Sequence, residues 1–345
     1  MRWLLLIGAL LAVACGGRTA SHRVTTPTID EPPTSITLLF TGDVMQHSPQ
    51  LTAARKGDRY DYTDSFAHIA PLLSEADLTV VNLETTLADN PPYAGYPLFR
   101  SPAALAEELA DVGVDVACLA NNHALDGGGE GVRSTVSILD RTGLRHTGIF
   151  ADSCDRQSNH PLHLNVKGIR IVLLNYTYGT NGLATPEGTY VNRIDTMRIK
   201  RDLAASAEAD CHIVCIHWGN EYERRPNARQ RALATLLRRA GADVVIGHHP
   251  HVIQPFEADS TGAVFYSLGN FVSNQRRRYR DGGLMARITL TRRSDGPLRY
   301  FSEAIPVWVD RNGYRILPCE AADTMALGEA YRTFRADTDS LLFGR

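Results

Sequence analysis

Seven short apolar runs, each ending abruptly in polar residues, constrain the fold of this chain more than any other feature. The runs occupy residues 36–40, 78–81, 114–120, 169–175, 211–216, 243–247 and 264–268. Amphipathic helical patterns separate most of them. Because strands that are buried on both faces form nearly continuous apolar runs, this alternation predicts βαβ units around a largely parallel sheet.

Four amphipathic segments predict the outer helices. They cover residues 65–76, 101–113, 131–143 and 228–242. In the second, Ser101 is the predicted N-cap, Pro102 the first helical residue and Gly113 the stop signal. Residues 253–309 hold consecutive short strands without helices, which predicts a mixed or second sheet, as in a β-sandwich with helices outside. Residues 321–345 predict a terminal helix.

The first 15 residues, MRWLLLIGALLAVAC, resemble a bacterial lipoprotein signal. Their apolar run is shorter than the about 20 residues needed to span a bilayer. Cys15 follows Leu-Ala-Val-Ala as in a lipobox, although Ala12 stands where that motif prefers leucine. We expect export and lipid anchoring through Cys15 at the extracytoplasmic face of the bacterial membrane; an ordinary cleaved signal with an incidental cysteine is the alternative. Residues 16–35 are polar and proline-containing, typical of a flexible tether.

The remaining composition is that of one large soluble domain, predicted over residues 36–320. The formal net charge is -2, so no basic surplus favours nucleic acid as a partner. Cys211 and Cys215 lie on one predicted strand with Cα atoms roughly 13 Å apart, too far for a disulfide. We expect these two, with Cys118, to be core thiols. Cys154 and Cys319 lie in loop-like segments and are left unpaired.

Side chains able to bind a metal follow five of the predicted strands. They are Asp43, Glu84, Asn122, His123, His217, Glu221, His249 and His251. Taken singly, Asp43 or Glu84 is as well explained as a helix cap. Together they fit a site, because ligands in open α/β sheets bind beyond the carboxyl ends of strands. Carboxylate, amide and imidazole donors suit Mn, Fe or Zn. Two such ions would activate a water, and a nearby imidazole would protonate the leaving group.

Six motifs in order resemble the bacterial CapA/PgsA family. They are TGDVM (41–45), VNLETTL (81–87), LANNHALDGGGEG (119–131), IHWGNEY (216–222), VIGHHPHVIQ (245–254) and YSLGNFV (266–272). The similarity runs from about residue 36 to about residue 274, and YTYGTNG (176–182) is similar to a segment in part of the family. The resemblance implies an α/β fold of the calcineurin-like metallophosphoesterase type, a mixed β-sandwich flanked by helices.

The resemblance also implies roles for individual residues. The implied metal ligands are Asp43, Glu84, Asn122, His217, His249 and His251, with His123 as the catalytic acid. Met45 stands where the wider metallophosphoesterase pattern has a histidine, and Glu84 replaces the aspartate that bridges the metals. The implied substrate-binding residues are Glu221, Tyr176, Asn181 and Asn270. The implied cofactor is one or two divalent transition metal ions.

These residues leave three functions open. The first is a metal-dependent hydrolase in capsule or poly-γ-glutamate synthesis or export, acting on a phosphoester or on an amide of an anionic envelope polymer. The second is a non-catalytic scaffold that keeps the fold and binds the polymer or the membrane subunits of capsule synthesis; the run QRRRYR (275–280) could contact a polyanion. A periplasmic binding protein for small anions is the third, but it does not explain the ligand-type residues.

Overall fold

The computed structural model describes residues 34–293 and 296–344. The predicted signal segment, Cys15 and most of the predicted tether lie outside the described residues. The strands are β1 (Thr34–Val44), β2 (Arg55–Lys56), β3 (Arg59–Tyr60), β4 (Leu78–Leu83), β5 (Thr86–Ala88), β6 (Arg100–Pro102), β7 (Val116–Cys118), β8 (Arg145–Thr147), β9 (Ile149–Phe150), β10 (Leu162–Val166), β11 (Ile169–Thr177), β12 (Tyr190–Val191), β13 (Cys211–His217), β14 (Val244–His248), β15 (Phe256–Asp259), β16 (Gly262–Phe265), β17 (Asn270–Val272), β18 (Gly282–Arg292), β19 (Arg299–Val309) and β20 (Ile316–Pro318). The helices are α1 (Ser48–Ala54), α2 (Thr63–Phe66), α3 (Ala70–Glu75), α4 (Ala104–Asp111), α5 (Gly128–Thr142), α6 (Ser153–Asn159), α7 (Thr196–Ala205), α8 (Ala228–Arg239), α9 (Cys319–Ala322) and α10 (Glu329–Phe343).

Two mixed sheets form the centre of the fold. The first has the order β20-β19-β18-β1-β4-β7-β8, with β17 also paired to β1. In it β17, β1, β4, β7 and β8 run parallel, and β18 to β20 are antiparallel. The second has the order β10-β11-β13-β14-β16-β15, with four parallel central strands and antiparallel edges. The carboxyl ends of the parallel strands therefore form the edge where a site is expected.

Alternating side chains along each strand join the sheets to one another and to the helices. In β1, Phe40 packs into the apolar layer shared with the second sheet, whereas Leu39 faces the helices that cover the first sheet. In β11, Leu173 faces the first sheet and Leu174 packs with Leu203 of α7. Since successive strand residues point to opposite faces, runs that are apolar throughout produce layers on both sides of each sheet. The predicted mixed β-sandwich flanked by helices is confirmed.

Helix boundaries differ from the sequence prediction in two places. Ser101 and Pro102 do not begin a helix: residues 100–102 form β6 beside β5, and the Ser101 hydroxyl hydrogen-bonds Thr85 Oγ1 at 2.7 Å. The helix begins instead at Ala104, after the N-cap Ala103. The predicted helix over 65–76 is divided into α2 and α3.

Both ends of the predicted domain shift slightly. Residues 34 and 35, assigned to the tether, already belong to β1, because they pair with Arg292 and Thr291 of β18. The terminal segment forms α9 and then α10, which begins at Glu329 rather than near residue 321. In the described part of the chain, no helix has the length and apolar character needed to cross a bilayer.

The cysteine predictions are confirmed for the core thiols. Cys118, Cys211 and Cys215 are free and buried, and the last two share β13. Cys154 and Cys319 are also free. Their assignment to loops is wrong, since Cys154 lies in α6 and Cys319 begins α9.

Candidate functional site

The first sheet brings three polar residues to one level. Asp43 lies opposite Asn82 of β4 and Asn270 of β17 in the strand register. The Asn82 amide donates to Asp43 Oδ1 at 2.8 Å and approaches Glu84 Oε2 at 3.4 Å. The Glu84 backbone N–H donates to the Val44 carbonyl at 2.9 Å. Parallel pairing of these strand ends therefore places two carboxylates beside one amide.

The second sheet supplies three imidazoles to the same place. His217 ends β13, and His249 and His251 follow β14. His251 Nδ1 lies 3.0 Å from Asp43 Oδ2, and its Nε2 lies 3.7 Å from Glu84 Oε1. His217 Nε2 lies 3.8 Å from the same Glu84 oxygen. The structure thus brings donors from both sheets together around Glu84.

The loop after β7 completes this arrangement. Asn122 Oδ1 lies 2.7 Å from His217 Nε2, and its amide nitrogen donates to Asn181 Oδ1 at 3.2 Å. His123 Nδ1 lies 2.7 Å from Asp126 Oδ2, which also accepts the Phe99 N–H at 2.7 Å. The predicted acid therefore has a carboxylate hydrogen-bond partner that fixes its ring, while Asn122 presents its oxygen to His217.

Two sets of three donors are close enough to share a cation. One comprises Asp43, Glu84 and His217, and the other comprises Glu221, His249 and His251. Within each set the ligand atoms lie within 4.8 Å of one another. All six residues are buried except Glu221, which is exposed. Glu221, predicted to bind substrate, thus lies within ligand distance of the histidine pair.

The pKa values of the two buried carboxylates of the site are shifted in opposite directions. Burial raises the pKa of Glu84 well above its usual value, and repulsion from Asp43 and Glu221 adds to the rise. Burial opposes ionisation of Asp43 too, but the hydrogen bond and charge of His251 outweigh it and lower the pKa of Asp43. Among described residues, the basic groups nearest to these two carboxylates are the imidazoles of His217 and His251.

Two imidazoles of the site, those of His217 and His249, are held neutral. Burial, followed by the neighbouring histidines, lowers the pKa of His217 well below its usual value. Burial and the charge of His251 lower the pKa of His249 to about 4. Neutral imidazole is the form that ligates metals. Histidines crowded in this way therefore suit a cation better than they suit protonation.

Several buried polar atoms of the site have no hydrogen-bond partner in the described part of the chain. They include Glu84 Oε1, His217 Nδ1 and His249 Nδ1. Buried polar groups without partners are rare in native proteins, and each asks for an explanation. A divalent cation would satisfy donors of this kind and offset the buried carboxylate charge. The residues present therefore fit a transition metal.

Close backbone packing explains the glycine that precedes Asp43. A Cβ at Gly42, next to Asp43, would lie 2.2 Å from the Gly269 carbonyl oxygen. Only glycine therefore fits at this position.

The loop after β14 has an unusual backbone conformation. The backbone of His249 has φ +99° and that of His251 has φ +55°. Non-glycine residues rarely adopt positive φ, and such strain concentrates at functional sites. The loop that carries these histidines is thus held in a conformation that local preference disfavours.

Two predicted substrate-binding residues lie elsewhere or act differently. Tyr176 is fully buried beneath α7, and its hydroxyl donates to Asp202 at 2.6 Å, so it does not face the ligand cluster. Asn270 is also fully buried; its Oδ1 lies 3.2 Å from His251 Nδ1, so it positions a histidine. Met45, which stands where the wider metallophosphoesterase pattern has a histidine, is also buried, and its N–H donates to the Val272 carbonyl at 2.9 Å.

Sequence reasoning missed several residues of the site. Asn82 directly follows the apolar run 78–81 and lies within the motif VNLETTL, but no role was predicted for it. Asp126 lies three positions after His123, a spacing that could have signalled the pair. The Tyr178 ring lies 4.6 Å from that of His249 and 6.3 Å from that of His217. His47 packs against Phe99 at 5.1 Å, and burial lowers its pKa to about 4.

Comparison with known proteins identifies relatives of the chain. The family model described as "Bacterial capsule synthesis protein PGA_cap" matches residues 37–275. The "Capsule biosynthesis protein CapA" of Bacillus anthracis is 32% identical over 254 residues, which cover 70% of this chain and 60% of that protein. The "PGA biosynthesis protein CapA" of Bacillus subtilis is 31% identical over 255 residues, covering 71% and 66%. The matched region thus spans less than two thirds of either relative.

A solved structure shows a weaker likeness. The 5'-nucleotidase from Candida albicans superposes with a TM-score of 0.47 and 13% sequence identity, over 88% of this chain and 58% of that one. At this level of similarity it carries no conclusion about the chain. The family model, by contrast, covers most of the sequence, including every strand end that contributes to the ligand cluster. The chain belongs to the bacterial capsule synthesis protein PGA_cap family.

Proposed function

We propose that this chain is a metal-dependent hydrolase that acts in capsule or polyglutamate assembly. The observation that carries the proposal is the buried convergence of Glu84 Oε1 with the Nε2 atoms of His217 and His251, at 3.8 and 3.7 Å. The "Capsule biosynthesis" and "PGA biosynthesis" names of the two Bacillus relatives support the biological setting.

The proposed ligands belong to both sheets and the loop after β7. They are Asp43, Glu84, Asn122, His217, His249 and His251. Carboxylate, amide and imidazole donors favour Mn, Fe or Zn over Mg or Ca. One or two such ions, when bound, would supply a nucleophilic water at neutral pH and stabilise developing negative charge. Asp43 in turn orients His251, since its Oδ2 lies 3.0 Å from His251 Nδ1.

His123 is the proposed acid. Asp126 holds its Nδ1 at 2.7 Å, and Phe99 packs edge-on against its ring with centroids 4.6 Å apart. A carboxylate on one ring nitrogen fixes the ring orientation and directs the other nitrogen elsewhere. His123 would then donate its proton to the leaving oxygen or nitrogen from its Nε2.

A two-substrate assay tests this function. The purified full chain is incubated with poly-γ-glutamate and with a chromogenic phosphomonoester, each with Mn²⁺, with Zn²⁺ and with chelator. We expect hydrolysis of at least one substrate that is lost with chelator and restored by metal. Cells that assemble polymer normally with a His249→Ala chain would contradict catalysis and favour the non-catalytic scaffold that binds polymer or membrane subunits.

We also propose that the chain is exported and anchored through a lipid on Cys15, because the apolar run before Cys15 ends in the small residues Val13 and Ala14. In a bacterial host, Cys15→Ala is expected to move most of the protein from the membrane fraction to the soluble extracytoplasmic fraction, since stable anchoring needs the acyl chains. Immunoblots of the two fractions measure the shift, with Cys154→Ala as control. Equal membrane association of wild type and Cys15→Ala would contradict the anchor.

A further inference from the structure

An arginine lies on an aromatic ring at the rim of the ligand cluster. The Arg280 guanidinium carbon is 3.1 Å from the ring centroid of Tyr222. The Tyr222 ring in turn lies 6.2 Å from the ring of His251. Glu221, which precedes Tyr222, belongs to the ligand set with His249 and His251. The arginine-tyrosine pair therefore borders the candidate metal site directly.

The backbones of both residues are tied to the histidine loop. The Tyr222 N–H donates to the Pro250 carbonyl at 2.7 Å, between the two histidines. The Asn270 amide nitrogen donates to the Arg280 carbonyl at 2.8 Å, and its Oδ1 lies 3.2 Å from His251 Nδ1. Tyr222 has φ +68°, which it would rarely adopt without such support. The pair is thus held at a fixed distance from the ligands.

The charge of Arg280 is unmatched, unlike that of its neighbour. Arg278, two positions earlier, forms an ion pair with Asp337 at 2.7 Å. In residues 34–293 and 296–344, no carboxylate lies within ion-pair distance of Arg280, and its side chain has no hydrogen-bond acceptor. A guanidinium stacked on an aromatic face keeps its N–H edge available for a planar anion. Carboxylate and phosphate both match that edge.

We propose that Arg280, oriented by Tyr222, binds a carboxylate or phosphate of the substrate next to the candidate metal site. This inference rests on the proposed hydrolase function. It adds that the unit of the substrate bound beside the reacting bond carries an anionic group. Arg280 is a specificity residue in this account. The metal ligands act at the bond, and Arg280 selects molecules with an anion at the rim.

Binding measurements test the proposal without turnover. The full chain as purified, and again after chelator treatment, is titrated calorimetrically with a short γ-glutamate oligomer, with its α-amidated neutral analogue, and with inorganic phosphate. Arg280→Ala is expected to weaken binding of one anionic probe by about tenfold or more, the size of a lost charge-assisted hydrogen bond. Arg278→Ala, an equal change of charge in the same run, should weaken it less than about threefold, because that side chain is committed to Asp337.

The outcomes separate this inference from the proposed hydrolysis. A loss with the oligomer but not with phosphate identifies the carboxylate, and the reverse identifies phosphate; the neutral analogue should be insensitive to Arg280→Ala. Equal losses from Arg278→Ala and Arg280→Ala, or no binding of either anion by wild type, would overturn the proposal. Where hydrolysis is measurable, Arg280→Ala should raise KM with little change in kcat. Absence of hydrolysis in every chain would refute the hydrolase but leave the binding comparison decisive.

Discussion

Replacing Glu84 with glutamine is expected to have two effects of opposite sign. Metal binding should fall by more than about tenfold, because the variant loses a charged donor that His217 and His251 both approach. The metal-free protein should become more stable, since burial and neighbouring carboxylates raise the pKa of Glu84 and its ionised form is unfavourable there. Relief of a buried, incompletely paired charge is worth about 1–3 kcal/mol.

Thermal unfolding with and without added Mn²⁺ or Zn²⁺ measures both effects at one pH. The matched control is Glu187→Gln, which makes the same chemical change at an exposed loop position and should change neither quantity. A Glu84→Gln protein that gains as much stability from the metal as wild type would show that Glu84 is not a ligand. If metal-free Glu84→Gln were less stable than the metal-free wild type, the protein itself would already stabilise the buried Glu84 carboxylate.

Replacing His123 with alanine is expected to reduce kcat by about 10²–10⁴-fold while leaving metal content unchanged. The reason is that His123 is proposed to transfer a proton, and its Nδ1 contacts Asp126 at 2.7 Å rather than Asp43 or Glu84. Asp126→Asn should lower kcat as well. The carboxylate oxygen of Asp126 that contacts His123 Nδ1 and accepts from the Phe99 N–H would become part of a neutral amide, which is a weaker acceptor. Steady-state kinetics and elemental analysis of each purified variant provide the two readouts.

The exposed His68 offers a matched control for this series. His68→Ala removes the same imidazole from an exposed position outside the ligand cluster, and its kcat should equal that of wild type. If His123→Ala retained kcat within about threefold of wild type, general acid catalysis by this residue would be excluded on magnitude alone. Loss of metal from His123→Ala would instead make it a ligand or a support for one.

The architecture was predictable because burial leaves a strong signal in the sequence. Runs such as 169–175 are apolar without alternation, and a strand covered on both faces needs that pattern. The order of strands and helices then limited the topology to a few arrangements. The helix start at Ser101 was not predictable in this way, since a strand pairing with residues 86–88 used the same residues that favour a cap.

The members of the ligand cluster were predictable from their place after strands, but their supporting residues were not. Asp43 and His251 lie 208 positions apart, yet both follow apolar runs whose carboxyl ends meet at one edge. Asn82 was hidden because a polar residue inside a strand acquires meaning only from the register that sets it opposite Asp43. Tyr176 could not be separated from Tyr178 for a related reason: both lie in one motif that continues beyond the strand, and Tyr178 is the tyrosine of that motif whose ring lies beside His249.

Anomalous X-ray diffraction from crystals of the full chain grown with Mn²⁺ and with Zn²⁺ tests the central claim most directly. The account predicts at least one anomalous peak within about 2.0–2.5 Å of Glu84 and of His217 or His251, the range of such metal-ligand bonds. It also predicts loss of that peak in crystals of Glu84→Gln. Well-ordered crystals in which Asp43, Glu84 and the histidines meet without any anomalous peak under saturating metal would contradict it.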